Sequence, residues 1–186
     1  MDNSQSIEIE ARFINLDQKI IEKKLEEIGA RKISESFFKE WIFWHKNKEW
    51  MEKNRRIRIR DSGEKVWLTY KAQPTWGIDT TEEVEVTVSS ADEAKKLVEK
   101  IGVPFQRYQE KKRIQYKLGD TSIDLDFWPK IPMVLEIEAL SKEEVMRAAN
   151  LLELKWKDAI FGLRELSCWS QQSKTFEKSN VFDCFD

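Results

Sequence analysis

The chain has few of the residues that most often carry nucleophilic catalysis, cross-linking or sharp turns. Its 186 residues include two cysteines, one histidine, six glycines and four prolines. Cys168 and Cys184 both lie late in the chain, so we expect no disulfide framework and a reduced, cytoplasmic protein. The single histidine, His45, lies beside a predicted turn and is not expected to be catalytic. We find no glycine-rich phosphate loop and no nucleophile elbow.

The chain also lacks long apolar runs and a strong excess of one charge. No stretch of about 18 apolar residues is present, so no transmembrane helix is predicted. Residues 1–5 lack the basic and apolar regions of a signal peptide. The net charge is −2, and basic residues alternate with acidic ones, which gives no signal for nucleic acid. We expect one domain that binds neither membrane nor nucleic acid, and the oligomeric state stays open.

What the chain has in abundance is charge, at 35% of its residues, placed by alternation within predicted strands. Residues 6–13 read Ser-Ile-Glu-Ile-Glu-Ala-Arg-Phe, which puts Glu8, Glu10 and Arg12 on one face of a strand and apolar side chains on the other. The same pattern returns at residues 56–60, 83–86, 111–114, 122–126 and 135–138. This mixture of acidic and basic pairs indicates that the ionised faces of the strands face each other across an interior.

A solvated sheet face with cross-strand salt bridges is the alternative for any one of these strands. A solvated face would also use Thr, Ser and Gln, whereas these positions are almost all ionised. The joint pattern therefore favours a charged interior. Asp124 and Arg56 are in phase but could lie at its rim, while Lys112 is out of phase with Arg113 and is expected to point outward.

The order of these strands suggests an internal duplication. An acidic strand, a helix, a basic strand and its hairpin partner occur once over residues 6–72 and again over residues 82–127. Residues 33–53 are aromatic-rich and are expected to be extended. Two β-α-β-β units that bring their polar faces together would form an α+β fold, a closed antiparallel tunnel with helices packed outside.

The ionised faces carry two kinds of candidate site residue. Carboxylates two positions apart on a strand can share a hard cation such as Mg²⁺ or Mn²⁺. The candidates for this metal site are Glu8, Glu10, Asp126, Glu136 and Glu138. Arg and Lys side chains grip phosphate oxygens, and a set this large suits a triphosphate. The candidates for this anion site are Arg12, Arg58, Arg60, Lys71, Lys111 and Arg113.

These residues resemble a known family. Glu8-x-Glu10-x-Arg12 is similar to the E-x-E-x-K signature of the CYTH superfamily, the triphosphate tunnel metalloenzymes, with Arg in place of the usual Lys. That superfamily includes class IV adenylate cyclases, thiamine triphosphatases and inorganic triphosphatases. The resemblance spans about residues 6–154. It continues through the segments 57–60, 67–71, 83–85, 111–113, 123–126 and 134–138.

The resemblance implies an eight-stranded tunnel domain, which we bound at residues 1–166, followed by a polar tail at 167–186. It implies metal binding by the first glutamates, Asp126 and the late Glu pair, and triphosphate binding by the inward Arg and Lys. We group Glu83 and Glu85 with the substrate-binding residues and assign catalytic roles to Arg12 and Asp126. A further basic residue of the family near the C-terminus could be Lys155 or Lys157.

Three functions remain open from the sequence. We predict metal-dependent hydrolysis of a triphosphate, such as tripolyphosphate, ATP or thiamine triphosphate. The first alternative is an adenylate cyclase that converts ATP to cyclic AMP and pyrophosphate, and the second is a non-catalytic polyphosphate- or nucleotide-binding module. A cyclase needs a base pocket, which loops near Trp76 and Trp128 could supply.

Overall fold

The computed structural model describes residues 6–73, 81–129 and 131–161, with side chains from Ile9 onward. The strands are β1 (Ser6–Phe13), β2 (Arg31–Phe43), β3 (Arg56–Asp61), β4 (Val66–Ala72), β5 (Thr81–Val88), β6 (Phe105–Leu118), β7 (Thr121–Trp128) and β8 (Ile131–Ala139). The helices are α1 (Gln18–Glu27), α2 (Lys48–Glu52), α3 (Ala91–Lys100) and α4 (Lys142–Leu151), and a 3₁₀ turn covers Trp156–Asp158. No helix within these ranges is long and apolar enough to cross a membrane.

The eight strands form one strongly curled antiparallel sheet. Their order is β1-β5-β4-β3-β2-β6-β7-β8, and β1 also pairs with β8 over Ile9–Phe13. Three residue pairs, at Ser6–Glu8, join β1 to β5. The α+β class and the eight antiparallel strands predicted from the sequence are confirmed. The closed tunnel depends on the short β1–β5 seam and belongs to the proposal made below.

Each α-helix begins at a side chain that accepts a hydrogen bond from the backbone of the first turn. Asp17, Asn47, Ser90 and Ser141 are these N-caps, and they satisfy N–H groups that helix geometry leaves unpaired. The sequence predicts the starts at Asp17, Ser90 and Ser141, where N-cap residues precede amphipathic segments, but not the short α2. That helix lies in the segment 33–53, which we expected to be extended and which β2 and α2 in fact share.

Apolar residues pack on the outside of the curl, between the sheet and the helices. The larger cluster lies under α1 and α4 and includes Leu25 and Leu125. The smaller cluster lies under α3 and includes Ile59 and Val98. Because side chains alternate along a strand, burying one face outward turns the ionised face inward. This packing is what positions the candidate site.

The duplication is real, but the predicted unit is one strand short. The elements β1, α1, β2, β3, β4 correspond in order to β5, α3, β6, β7, β8, so each half is β-α-β-β-β. Ser6 pairs with Glu83 and Glu8 with Thr81 across the seam. A two-fold rotation that exchanges the two halves therefore superposes Ser6 on Thr81 and Glu8 on Glu83. The strand left out of the predicted unit is β2, whose aromatic residues hide its alternation.

Some predictions fall on residues that the structure does not describe. Trp76 lies in the gap at 74–80, and the tail at 167–186, with Cys168 and Cys184, lies beyond residue 161. The side chain of Glu8 also lies outside the described part. The domain boundary at residue 166 stays a prediction.

Candidate functional site

The inward faces of the strands line a cavity of about 260 Å³. Eight basic and six acidic side chains line it, with one glutamine and four apolar residues. The basic residues are Arg12, Arg56, Arg58, Arg60, Lys71, Arg107, Lys111 and Arg113. The acidic residues are Glu40, Glu83, Glu85, Asp126, Glu136 and Glu138. The cavity thus brings together most of the predicted metal and anion ligands.

Arg113 on β6 connects the carboxylates of one wall. Its Nε donates to Asp126 Oδ1 and its Nη2 to Asp126 Oδ2, both at 2.6 Å. Nη2 also donates to Glu136 Oε1 at 3.0 Å, and Nη1 contacts Asp124. Burial alone would lower the pKa of Arg113, but the charges of Asp126 and Glu136 hold that pKa well above its ordinary value. Three carboxylates therefore share one permanently charged guanidinium.

Arg12 on β1 forms a second bridge between carboxylates. Its Nη2 donates to Glu10 Oε1 and its Nε to Glu136 Oε2, both at 2.7 Å. All three side chains are buried. Burial opposes the charge of Arg12, yet the two glutamates raise its pKa above the ordinary value. Glu136 is thus held from both sides, by Arg12 and by Arg113.

Glu40 on β2 occupies the centre of the opposite wall and is 2% exposed. Its Oε1 accepts from Arg60 Nε at 2.8 Å, and its Oε2 accepts from Gln109 Nε2 at 2.5 Å. Burial would raise the pKa of Glu40, but Arg60, Lys111 and Arg58 hold that pKa well below its ordinary value. Glu40 therefore stays ionised and anchors the basic side chains around it.

Arg58 on β3 is only loosely paired with carboxylates. Its distances to carboxylate oxygens are 3.7 Å to Glu85, 3.8 Å to Glu83 and 4.0 Å to Glu40, and its Nε makes no hydrogen bond. Burial lowers the pKa of Arg58, and the adjacent charge of Arg60 lowers it further. Lys71 contacts Glu83, so β3 to β5 also interleave cations and anions. An anion in the cavity would relieve the crowding at Arg58.

The carboxylates of the acidic wall fall into two groups by their pKa. Asp126 and Glu136 have a pKa below the ordinary value, because nearby Arg and Lys outweigh the effect of burial. Burial raises the pKa of Asp124 to about 6, and Glu136 and Asp126 add to that shift. Burial also raises the pKa of Glu138, with further increases from Glu136 and Glu10. Asp124 and Glu138 are therefore crowded by negative charge.

This crowding fits a hard cation, which prefers oxygen ligands and would relieve the repulsion. One carboxylate oxygen of Asp124 is buried without a hydrogen-bond partner, so it is available to bind a cation. Across the described ranges, however, no three acidic side chains converge closely enough to hold an ion as they stand. Glu10, Asp126 and Glu136 instead form ion pairs with Arg12 or Arg113.

The cavity lining also includes apolar side chains. Ile42, Ile131, Val134 and Trp128 contribute to it. Trp128 Nε1 is buried without a partner, and so is Gln109 Oε1, whose amide nitrogen is engaged by Glu40. A free N–H and a free carbonyl beside apolar walls can accept an uncharged group with its own hydrogen-bonding edge.

The structure extends and corrects the predicted site. Arg56 lines the cavity and Asp124 is buried, so neither lies outside the interior. Lys112 pairs with Glu35 and does not line the cavity, as expected. Lys155 and Lys157 are both exposed and line no part of the cavity, so the suggested further basic residue is wrong.

The sequence also missed residues that line the cavity. Glu40, Gln109 and Arg107 lie at inward positions of β2 and β6. Their signal is weak, because Glu40 stands among aromatic residues, and Gln109 and Arg107 precede the basic segment at 111–114. The spacing Glu40-x-Ile42 in phase with Phe38 could have identified β2 as a lining strand.

The fold and the site together define an α+β protein whose antiparallel sheet curls around a cavity of interleaved cations and carboxylates. The chain belongs to the CYTH family, since the model of the CYTH domain matches residues 6–157.

Similar proteins come from distant organisms. A protein of Methanocaldococcus jannaschii named "Putative adenylate cyclase" is 26% identical over 133 residues, which cover 71% of this chain and 76% of that protein. A solved structure from Vibrio parahaemolyticus with the same name has a TM-score of 0.74 at 14% identity and covers 89% of this chain and 99% of its own. A Hippeastrum protein described as a "Putative adenylyl cyclase" with a dominant triphosphatase activity has a TM-score of 0.57 at 14% identity and covers 84% of this chain and 90% of its own. The two solved structures support the fold.

Proposed function

We propose that this chain is a divalent-metal-dependent enzyme that hydrolyses a triphosphate inside a tunnel closed at the β1–β5 seam. The observation that carries the proposal is the interleaving of basic and acidic side chains around one cavity. Phosphoryl transfer asks a protein mainly for positioning and charge neutralisation rather than for a covalent nucleophile. A lining of this kind supplies both.

The basic residues of β3, β4 and β6 are proposed to bind the phosphates. Arg58 is the first of these, because its crowding by Arg60 falls when an anion enters. Arg60, Lys71, Lys111 and Arg113 complete the set. Glu83 and Glu85 cannot contact phosphate favourably, so we assign them to positioning Lys71 and Arg58, whose ion pairs they form.

The carboxylates of β1, β7 and β8 are proposed to hold the metal ion. Glu10, Glu136, Glu138 and Asp126 would bind it, with Glu8 joining from the start of β1. A bound divalent ion neutralises phosphate charge and lowers the pKa of a coordinated water. Asp126 stays ionised beside Lys111 and Arg113, and we assign it the role of accepting a hydrogen bond from the attacking water.

Arg12 differs from a lysine in ways that bear on its role. Its guanidinium is planar and bridges Glu10 and Glu136 at the same time. We therefore assign Arg12 to fixing the spacing of these two carboxylates and to binding phosphate when substrate is present. A lysine ammonium could also contact two carboxylates, but as a compact point charge it would not fix their orientation in the same planar geometry.

The test is a direct assay of products. The protein is incubated with Mg²⁺ or Mn²⁺ and with tripolyphosphate, ATP or thiamine triphosphate, and products are identified by ³¹P NMR. We expect tripolyphosphate to give pyrophosphate and phosphate, and we expect excess chelator to stop the reaction. Tight binding of tripolyphosphate with no product would instead identify a binding module. Absence of both binding and turnover would exclude a triphosphate site.

An adenylate cyclase is the second candidate, and two observations favour it. The Methanocaldococcus relative carries that name. The apolar side chains of the cavity lining, with Trp128 Nε1 and Gln109 Oε1 buried without partners, could hold a nucleobase. Cyclisation also requires the ribose 3′-hydroxyl in line with the α-phosphorus. If ATP with Mn²⁺ gives mainly cyclic AMP and pyrophosphate while tripolyphosphate is inert, the cyclase is correct and the hydrolase is not.

A further inference from the structure

Two of the arginines that line the cavity have no role in the phosphate site proposed above. They are Arg56 on β3 and Arg107 on β6. The side chains already assigned to phosphate are Arg12, Arg58, Arg60, Lys71, Lys111 and Arg113. The position of the two further arginines relative to this set decides whether they crowd a triphosphate or lengthen the site beyond one.

The strand register places Arg107 level with Arg58. Ile42 on β2 pairs with Arg58 on β3 and with Arg107 on β6. All three side chains line the cavity, so they form one row across three strands. Because neighbouring strands lie about 4.8 Å apart, the backbones of the two arginines are roughly 10 Å apart. Their long side chains can therefore reach one group held above Ile42 from both sides.

Local structure fixes the direction of Arg107 before any ligand binds. The β2–β6 register shifts directly beside it, because Phe43 pairs with Phe105 and Gln106 is an extra residue on β6. Such bulges re-aim the side chains next to them. Gln106 Nε2 donates to the carbonyl oxygen of Trp44 at 2.9 Å, and the guanidinium of Arg107 lies 5.9 Å from the centroid of the Trp44 ring. The bulge and the aromatic contact together hold Arg107 at the cavity.

The carboxylate nearest to this row is shared among several groups. Burial lowers the pKa of Arg107, and the charge of Glu40 offsets part of that effect. Glu40 also lies 4.0 Å from Arg58, while its two oxygens accept hydrogen bonds from Arg60 and Gln109. One carboxylate therefore serves several cations. An anion between Arg58 and Arg107 would stabilise the charge of both.

Arg56 adds a second pair of neighbouring cations at this end. It pairs with Lys71 across β3 and β4, and Lys71 in turn pairs with Glu83 on β5 and contacts it. Like charges directly opposite each other on neighbouring strands are unfavourable. A bound anion would reduce this repulsion, as it would at Arg58.

The two further arginines lie beyond the assigned cations on both strands. On β6 the assigned cations begin at Lys111, and Arg107 precedes it by four residues, about 13 Å at the rise of a strand. On β3 they begin at Arg58, and Arg56 precedes it by two residues, roughly 7 Å. Since β3 and β6 are both antiparallel to β2, they run in the same direction. Arg56 and Arg107 therefore lengthen the basic lining at the same end of the cavity.

We propose that Arg107, together with Arg58 and Arg56, binds a fourth phosphate, so that the substrate is a linear inorganic polyphosphate of four or more phosphates. This inference rests on the proposed function and names the substrate class of that site. Guanidinium groups bind phosphate oxygens in pairs, which suits a phosphate held between two arginines. An uncharged organic group at this end would leave their charges without an anion.

The test compares the binding of polyphosphates of different length by isothermal titration calorimetry. The probes are tripolyphosphate, tetrapolyphosphate and ATP, at one ionic strength and in excess EDTA, which prevents the proposed turnover. Wild type should bind tetrapolyphosphate about tenfold or more tightly than tripolyphosphate, as expected for added contacts to charged groups. Arg107→Met keeps the aliphatic stem but removes the charge, and it should bring this ratio of affinities close to one.

Three further variants make the ratio specific to this end of the cavity. Lys39→Met is the matched control, because it removes the same charge from an exposed position of β2, and it should keep the wild-type ratio. Arg107→Lys retains the charge and should retain part of the preference. Arg56→Met should lower the ratio independently of Arg107→Met. Thermal unfolding of each variant verifies that it is folded.

The outcomes separate this inference from the proposed function. If wild type binds both polyphosphates equally, or if Arg107→Met weakens both equally, there is no fourth phosphate subsite, although the triphosphate site stands. A loss in Arg107→Met that is larger for ATP than for tetrapolyphosphate would place an organic group at this end and overturn the inference. If wild type binds none of the three probes, the proposed function fails with it.

Discussion

Arg113 and Asp126 face each other across β6 and β7 as a two-bond ion pair, with both N–O distances at 2.6 Å. Pairs of this geometry combine opposite charge with a fixed orientation. Glu136 and Asp124 contact the same guanidinium. Arg113 is therefore a structural residue as well as a proposed phosphate ligand, and the two roles must be separated by experiment.

Replacing Arg113 should destabilise the protein far more than replacing Arg58. Arg113→Ala leaves three buried carboxylates without their shared cation, and breaking a buried ion pair costs about 3–5 kcal/mol. Arg58→Ala removes a cation whose pKa is already lowered by burial and by Arg60, so its effect on stability should be small. Urea denaturation of both variants measures the difference. Equal losses of unfolding free energy would show that the longer ion-pair distances of Arg58 do not reduce its contribution to stability.

Arg58 should matter more for ligand affinity than for the stability of the fold. Arg58→Ala should weaken tripolyphosphate binding by about 1.5–3 kcal/mol, the range for a hydrogen bond to a charged group. Isothermal titration calorimetry on the folded variant gives this value. Unchanged affinity would remove Arg58 from the anion site.

Glu138 offers the cleanest test of the metal site. The pKa of its carboxyl is raised by burial and by Glu136 and Glu10, so Glu138→Gln should keep or increase stability. The same change removes a proposed metal ligand and should lower turnover and weaken Mn²⁺ binding. Glu143→Gln, on the exposed surface of α4, is the matched control. Normal Mn²⁺ affinity in Glu138→Gln would show that this carboxylate is not a ligand.

Stability should depend on Glu40 in a pH-dependent way. Its pKa lies below the ordinary value of 4.5 in the folded protein, so its ionised form stabilises the fold above that pH. This contribution is lost as pH falls below about 4.5, toward the folded pKa. The difference in unfolding free energy between wild type and Glu40→Gln should therefore shrink from pH 7 to pH 3. A difference that is constant with pH would mean that Glu40 is not held ionised by Arg60 and Lys111.

Trp128 should affect substrates with a ring more than bare polyphosphate. Trp128→Leu keeps an apolar wall but removes the indole and its free N–H. Loss of aromatic stacking on a base is worth about 1–3 kcal/mol, so kcat/KM for ATP should fall about fivefold or more. Turnover of tripolyphosphate should change little. A similar loss for both substrates would place the indole beside the phosphates instead.

Strand alternation predicted the cavity lining well where one face of a strand is wholly apolar and the other wholly ionised. Arg58, Arg60, Lys111 and Glu136 belong to such strands, and all of them line the cavity. Alternation failed on β2, because aromatic side chains occupy both of its faces. Phe37 is 59% exposed, while Phe38 is buried.

The cation–π contact of Phe38 explains why an apolar side chain lies beside a charged interior. The guanidinium of Arg60 lies 5.0 Å from the Phe38 ring centroid, and such contacts stabilise a cation over an aromatic face. Strand alternation assigns apolar and ionised residues to opposite faces, so it does not predict a contact between Phe38 and Arg60. For the same reason, Glu40 was missed although it is the most buried carboxylate of that wall.

The pairing of each carboxylate also lay beyond the sequence. Alternation places Glu10 and Arg12 on one face of β1 but does not say that they bond to each other. Which arginine holds which carboxylate depends on register between strands distant in sequence, such as β1 with β8. A raised carboxyl pKa is therefore found at Asp124 and Glu138 but not at Asp126 or Glu136.

The two halves of the sheet carry opposite charges at corresponding positions. The β2–β6 ladder skips Ile33 on β2 and Gln106 on β6, so a two-fold exchange of the halves matches these two residues and, seven positions further on, Glu40 and Arg113. Arg60 pairs with Glu40 on β3, and Asp126 pairs with Arg113 on β7. Arg60 and Asp126 are therefore counterparts, a cation in one half and a carboxylate in the other.

Two identical copies of the half, assembled as a dimer around a two-fold axis, could not have this distribution. Each copy would place the same residue at both positions, so the field across the cavity would be symmetric and a bound chain of phosphates would have two equivalent orientations. Covalent fusion of the halves lets Arg60 and Asp126 diverge independently. The single chain can thus give its cavity a direction, which would distinguish one end of the proposed polyphosphate substrate from the other.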